Sequence, residues 1–430
     1  MIGPPYQGYL YAYPHKTAYR PLRPRPSLRG VWVDEDVGAL FCYVHVPFCE
    51  MRCGFCNLFT RANPPAEQVR AYLTQLAIQA DRVRDALGSG AFARVAIGGG
   101  TPTYLTPSEL DGLFDIVARF TGGATVPTGV ETSPATATAD RLEVLAARGV
   151  TRVSIGVQSF LDDEAHRAGR PQHRADVDRA LGLIRASAVP TLNFDLIYGI
   201  PGQTVATWEY SLTTALSWRP EELYLYPLYV RPLTGLGRRA PGEDPQWDAE
   251  RLALYRRAVE VLADAGYRQE SMRMFRRRDA ADVGGPEYCC QDDGMVGLGC
   301  GARSYTTGLH YSFDYAVGVG QVRAIIDDYL SRPATDFDVA EYGFALDGLE
   351  QRRRWLLKSL LRTDGVHRDA YGRRFGSTVD DDFPELTRLA EHGYFDGSRL
   401  TPEGLAYSDA IGPWLVSPGV REAMAGYAAR

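Results

Sequence analysis

The chain lacks any apolar run approaching the roughly 18 consecutive residues that a membrane-crossing helix needs. Its opening stretch, MIGPPYQGYLYAYPHK, has no basic segment followed by the apolar core of a secretory signal. A cytoplasmic protein without a membrane partner is expected. Positive charge is not in excess either: 47 Lys and Arg stand against 53 Asp and Glu, a net charge of -6, and basic residues are scattered apart from one group at Arg273, Arg276, Arg277 and Arg278. The overall basic footprint of a nucleic-acid binder is therefore missing. Cysteine is sparse, and its count of seven is odd. In a long chain without a secretory signal this argues against a disulfide framework and for thiols kept reduced for metal or catalysis.

What is present is ordinary globular material in a regular order. A hydrophobic share of 45% with a charged share of 23% leaves ample material for a core. The 430 residues accommodate about two or three domains, or one large α/β unit with an appendage. Residues 1–38 are rich in Pro, Tyr and Arg without a period, and read as an extended arm lying on another part of the molecule or as a loose tail. From residue 40, six short apolar runs alternate with stretches of helical period: LFCYVHV (40–46), RVAIG (94–98), TGVET (128–132), RVSIGV (152–157), TLNFDLI (191–197) and ELYLYPL (222–228). They look like strands buried on both faces, and their alternation with helices such as AEQVRAYLTQLAIQADRVRDAL implies a parallel sheet with right-handed crossovers. The expected fold is α/β, a partial (β/α)6 TIM-like barrel over residues 39–340. Beyond it, LEQRRRWLLKSLL, FPELTRLAEHGYF and LTPEGLAYSDAIGPWL predict helices around a YFDGSRLT hairpin. This makes a small C-terminal helical, winged module over residues 341–430, expected to pack on the barrel rather than to bind nucleic acid.

Each strand ends in residues that a core would not select. Gly98 to Thr101 follow the second, Glu131 lies in the third, Gln158 closes the fourth, Asp195 lies in the fifth, and Tyr226 and Tyr229 mark the sixth. The C-terminal ends of parallel barrel strands converge on one face, where binding and catalysis concentrate. The GGGTP run after the second strand continues into Thr101-Pro102 rather than the Lys-Ser or Lys-Thr of a phosphate-cradling loop, which disfavours nucleotide triphosphates.

The segment HVPFCEMRCGFCNLFT carries Cys49, Cys53 and Cys56 in a Cys-x3-Cys-x2-Cys array. Three thiolates suit zinc or an iron-sulfur cluster. Zinc wants a fourth ligand, and NLFTRANPPAEQ supplies none; His45 is close by, but within a strand it reads more readily as a core histidine. Alternatively the three thiolates hold three irons of a 4Fe-4S cube, leaving the fourth open to the amine and carboxylate of S-adenosylmethionine (SAM), whose sulfonium the cluster can reduce.

YVHVPFCEMRCGFC, GGGTPTYL, VETSP, SIGVQSF, NFDLIYGIPGQT and LTPEGLAYSDAI, in this order across residues 40–415, resemble the HemN-like branch of the radical SAM superfamily, whose eponym is the oxygen-independent coproporphyrinogen III oxidase. The resemblance implies a 4Fe-4S cluster on Cys49, Cys53 and Cys56, two SAM molecules, a small-molecule substrate and a reductant such as flavodoxin or ferredoxin. It assigns Tyr43, Gly99 and Glu131 to the cluster-bound SAM, and Phe55, Gly100, Thr101, Gln158, Arg170 and Asp195 to a second SAM position. Tyr229 and Arg303 are expected to complete these pockets. The implied activity is reductive SAM cleavage to a 5'-deoxyadenosyl radical for hydrogen abstraction or methyl transfer, with oxidative decarboxylation or haem binding without turnover as alternatives.

Two departures stand out. The oxidases carry a further cysteine two positions after the third ligand, where this chain has Leu58, and the haem-chaperone branch usually has Asp where this chain has Asn57. Two features are the chain's own. EYCCQDDGMVGLGC holds Cys289, Cys290 and Cys300, of which Cys290 and Cys300 are candidate catalytic thiols, as a radical relay or hydrogen donor. MRMFRRRD gathers four arginines suited to clamping carboxylates or phosphates. The alternatives are buried apolar thiols and a solvated strand edge.

Overall fold

The computed structural model describes residues 2–238, 245–281 and 294–427. Six parallel strands, β1 (Leu40–Val46), β2 (Phe92–Gly99), β3 (Thr128–Thr132), β4 (Arg152–Gln158), β5 (Thr191–Tyr198) and β6 (Glu222–Pro227), lie side by side in chain order. Helices α1 (Ala66–Leu87), α2 (Pro107–Thr121), α3 (Ala139–Ala147), α4 (Arg174–Ala186) and α5 (Val205–Ser217) connect them, as right-handed crossovers between parallel neighbours require. Local chemistry sets the helix boundaries. Thr106 and Glu109 form a reciprocal capping box ahead of Pro107, and Gly122 ends α2 in the left-handed conformation.

The expected α/β partial barrel is thus present, and the sheet extends beyond it. After α6 (Pro245–Asp264), strands β7 (Tyr267–Gln269) and β8 (Met274–Arg277) add antiparallel to β6. On the opposite flank β9 (Met295–Leu298) runs parallel to β1, and β10 (Arg303–Tyr305), β11 (Leu309–Ser312) and β12 (Tyr342–Ala345) follow antiparallel. Arg20–Pro21 forms the last strand, so the edges of this 13-stranded sheet are Arg20–Pro21 and β7, which do not pair.

The pleat divides each central strand between two environments. Cys42, Val44, Val130, Ile155, Phe194 and Leu225 are at most 1% exposed and join the large core shared with the helices. At about 1.5–3 kcal/mol for each fully buried aliphatic or aromatic side chain, this layer is the main source of stability. The alternating residues point into the concavity, where Tyr43, Glu131, Asp195, Tyr224 and Tyr226 are only half-buried. The central strands are buried on both faces for most of their length, as expected, and the half-buried exceptions on the inner face are mainly polar and aromatic side chains.

The N-terminal segment is a seated arm rather than a loose tail. Tyr6, Ala12 and Tyr13 are buried, and Ala12 packs with Phe41, Ala96, Met295 and Tyr305 inside the concavity. A second core gathers helices between Gly348–Leu360 and Pro418–Ala425, together with Tyr13 and Ala18 of the arm. The expected wing reduces to a single antiparallel bridge, Phe395 to Leu400.

Candidate functional site

The loop after β1 is sewn to the loop after β2. The Gly100 and Thr101 N–H groups donate to the carbonyls of Val46 (2.7 Å) and Phe48 (2.7 Å), and Phe48–Cys49 pairs with Arg61–Ala62. Farther along, Gly54 N–H donates to Gly169 O (2.9 Å) and Gly54 O accepts from Leu236 N–H (2.8 Å). A Cβ at Gly54 would lie 2.9 Å from Ala168 O, so only glycine permits this approach. The contact places Arg170 beside the thiols: its Nη1 donates to Cys53 Sγ at 3.6 Å. Thr101 Oγ1 donates to Cys49 Sγ at 3.5 Å, and Cys56 Sγ lies 3.9 Å from Thr60 Oγ1.

All three thiols are free and partly exposed. Burial pushes Cys49 up to about 12, opposed by the Thr101 hydroxyl and reinforced by Cys56, Glu50 and Cys53. Burial also raises Cys53 against the pull of Arg170. Metal binding reverses this preference by favouring thiolate. Among the described residues no three His, Cys, Asp or Glu side chains converge on a single-ion centre. His45 is no ligand: its Nε2 lies 2.9 Å from Phe59 O, its ring meets Phe59 edge-on, and burial lowers it to about 4.

Gly99 has a φ of 110°, and a Cβ there would strike the His45 ring at 2.5 Å. Its N–H donates to Glu131 Oε2 at 3.1 Å. Burial, and secondarily Asp195, raises Glu131 to about 7. Asp195 is itself raised by burial, and accepts from Asn193 Nδ2 (2.9 Å) and Ser154 Oγ (3.5 Å). Gln158 holds a φ of 67° at the end of β4, and its amide nitrogen crowds the Gly156 position together with the Arg170 guanidinium. Phe55 packs toward Ala168, Ile197, Ile200 and Leu228. Tyr43 lies 3.4 Å from His45 Nδ1, on the same side of the hollow as Arg303, which holds Tyr305 Oη at 2.9 Å.

The structure therefore gathers Cys49, Cys53, Cys56, Gly99, Gly100, Thr101, Glu131, Gln158, Arg170 and Asp195 around the C-terminal ends of β1 to β5. It does not bring Cys300 there. That thiol is 1% exposed, hydrogen-bonds with Tyr72 of α1, and is pushed up to about 12 by burial, which suits a packed core thiol. Cys289 and Cys290 lie outside the described residues. Tyr229 is engaged elsewhere, donating to Asp409 Oδ2 at 2.5 Å. The arginine group is also corrected: Arg273 pairs with Asp409, Arg276 with Glu222 (3.3 Å), and Arg277 with Asp279 and Glu221. These clamp the protein itself. Sequence reasoning missed Glu50, whose Oε1 accepts from Ser133 (2.8 Å) while Oε2 is buried without a partner; its place between two cysteines was the available signal. It also missed Lys16, for which the arm carries no motif.

Residues 43–215 match the Radical SAM superfamily. The heme chaperone HemW of Bacillus subtilis is 28% identical over 390 residues, covering 87% of this chain and 98% of that protein. The chain is thus similar to proteins of the HemN-like branch of the radical SAM superfamily. The oxygen-independent coproporphyrinogen III oxidase of Paracoccus denitrificans is 31% identical over 271 residues, 62% of this chain and 60% of its own. The solved structure of coproporphyrinogen III oxidase HemN from Escherichia coli, a radical SAM enzyme, covers 90% of this chain and 92% of its own, with a TM-score of 0.76 at 22% identity, a likeness of fold. The radical SAM match implies a 4Fe-4S cluster and SAM. Among the described residues no helix is long and apolar enough to cross a membrane.

Proposed function

We propose that this chain is a radical SAM enzyme acting on a small molecule by hydrogen abstraction or methyl transfer. The observation that carries the reading is the three-thiol loop, whose neighbours Thr101 and Arg170 are hydrogen-bond donors to sulfur rather than a fourth ligand. Cys49, Cys53 and Cys56 would hold the cluster, leaving one iron for SAM. Bound there, cluster and SAM would supply one-electron cleavage of a carbon-sulfur bond, the source of a 5'-deoxyadenosyl radical. Donation from Thr101 and Arg170 to the Cys49 and Cys53 sulfurs would spread thiolate charge and ease reduction of a cluster held there. Glu131, next to the Gly99 turn and Tyr43, accepts from the ammonium or ribose of that SAM. Phe55, Gly100, Thr101, Gln158, Arg170 and Asp195 border the place of a second SAM. Flavodoxin or ferredoxin is the physiological reductant in this reading, and the chain works in the cytoplasm.

A second reading is haem binding without turnover on a small substrate, favoured by the heme chaperone that matches almost end to end. Anaerobic reconstitution followed by dithionite separates the two. The enzyme reading expects 5'-deoxyadenosine well above a Cys53→Ala control; its absence together with stoichiometric haem uptake would establish the carrier. S-adenosylhomocysteine appearing with 5'-deoxyadenosine marks methyl transfer.

A further inference from the structure

The three-cysteine loop is irregular, and its own backbone holds it lightly. Among the described residues, the backbone bonds of residues 51–58 are the turn from Cys56 N–H to Cys53 O (3.1 Å) and the two that Gly54 makes with Gly169 and Leu236. A loop with so few bonds opens locally at small cost. Side chains supply what the backbone does not. The Tyr315 hydroxyl donates to Asn57 O at 2.9 Å, one residue after Cys56, and Arg52 Nη2 donates to Val317 O at 2.6 Å, one residue before Cys53. A single short stretch, residues 313–317, thus brackets Cys53 and Cys56 from both sides.

That stretch is itself anchored. It runs between β11 and the helix Val319–Ser331; Phe313 meets the rings of Tyr329 and Phe337 edge-on at 5.4 and 6.0 Å, and Ala316 is fully buried. Tyr427, two residues beyond the helix Pro418–Ala425, donates its hydroxyl to Tyr315 O at 3.1 Å. The arm closes over the same ring, with Lys16 Nζ 3.6 Å from the Tyr315 centroid, and Cys56 acts electrostatically on both Tyr315 and Lys16. Tyr315 therefore joins the cysteine loop, the arm and the C-terminal helices. Hydrogen-bonded partners behind the ligands fix ligand position, and removing one typically weakens metal binding about 10- to 100-fold.

We propose that residues 313–317 are a strap that positions Cys53 and Cys56 for the cluster, with Arg52 and Tyr315 as its positioning residues, and that the C-terminal helices help to retain the cluster by anchoring the strap through Tyr427. This rests on the reading that Cys49, Cys53 and Cys56 hold a 4Fe-4S cluster, and it assigns retention of that cluster to residues that are not its ligands.

The test is the rate at which the anaerobically reconstituted full-length protein loses its cluster absorbance to excess EDTA, measured beside the thermal melt of the cluster-free form. Arg52→Gln and Tyr315→Phe are each expected to lose the cluster about tenfold faster than the unaltered chain. Tyr427→Phe should lose it faster by a smaller factor, and Arg52→Lys, which keeps a donor, should restore the original rate. The cluster-free melts should stay unchanged throughout. A variant that takes up no cluster while its melt is unchanged supports the strap equally. Unchanged loss rates in both Arg52→Gln and Tyr315→Phe would overturn the proposal. So would faster loss matched by a lowered cluster-free melt, which would assign these bonds to general stability. An unaltered chain that takes up no iron and sulfide would overturn the cluster reading and the strap with it, whereas unchanged rates in loaded protein remove the strap alone.

Discussion

Charges at the sheet's β6–β8 flank and charges in its hollow are handled in opposite ways. On the flank, Glu222 is shared between Arg152 (2.7 Å) and Arg276 (3.3 Å), and Asp409 of the C-terminal helices meets Arg273 with both side chains at most 4% exposed. Asp409 also accepts from Tyr229, and Arg273 lies 3.7 Å from the centroid of Tyr9, so one ion pair joins barrel, C-terminal helices and arm. In the hollow, Glu131 has no ion-pair partner among the described residues, and neither Lys16 nor Arg303 is paired with a carboxylate there, Lys16 being acted on by the Cys56 sulfur instead. Charge matched within the chain builds the molecule; charge left unmatched is available to something that binds.

The contrast is broken most severely at Asp409. Asp409→Ala leaves Arg273 buried and unpaired, and urea denaturation is expected to show a loss of about 3–5 kcal/mol. A loss below about 1 kcal/mol would show that the pair contributes no more than a surface contact.

Next comes Glu131. Burial, with Asp195, lifts it from 4.5 to about 7, so the folded state binds its proton more tightly than the unfolded chain. Its contribution is full below about pH 4.5, falls as pH rises to about 7 and is flat above, a change of roughly 3 kcal/mol. Thermal melts of the cluster-free protein should show this slope, and Glu131→Gln should remove it. In the reconstituted protein, a cationic SAM ammonium favours the carboxylate, so the Kd for SAM should tighten from pH 6 to pH 8 and lose that dependence in the same variant.

Smaller effects test whether pairing matters without burial. Arg256 and Glu403 are about half exposed and 2.7 Å apart. Arg256→Ala should cost under about 1 kcal/mol by the same denaturation. Lys16→Met is expected to change stability by only about 0.5 kcal/mol in either direction, because no carboxylate is stranded by its removal. A loss comparable to that of Asp409→Ala would make Lys16 a structural cation after all.

Much of this was legible in the linear chain. LFCYVHV and TGVET coincide with β1 and β3, and the other four central strands differ from their apolar runs by one to three residues in all. Such runs are readable because a strand covered by helices must be apolar on that face whatever else it does. The flanking strands β7 to β12 were not read: they are three or four residues long and depend on neighbours distant in sequence. The polarity of the hollow was visible only in fragments, such as Glu131 and Asp195, because alternate residues of several strands had to be superimposed before they formed one surface.

What the sequence determined by itself was the order of the site's parts: a three-cysteine loop after the first strand, glycines after the second and carboxylates in the third and fifth, since strand order fixes which ends meet. Only the tertiary structure decided which charged residues are spent on the fold. Arg273, Arg276 and Arg277 looked available because their partners Asp409, Glu222 and Glu221 lie elsewhere in the chain. Lys16 looked incidental because its surroundings, Tyr11, Tyr315 and Arg303, are assembled from three separate segments. Electrostatic pairing acts through space over a few ångströms, so no count of charges along the chain reveals which remain unmatched.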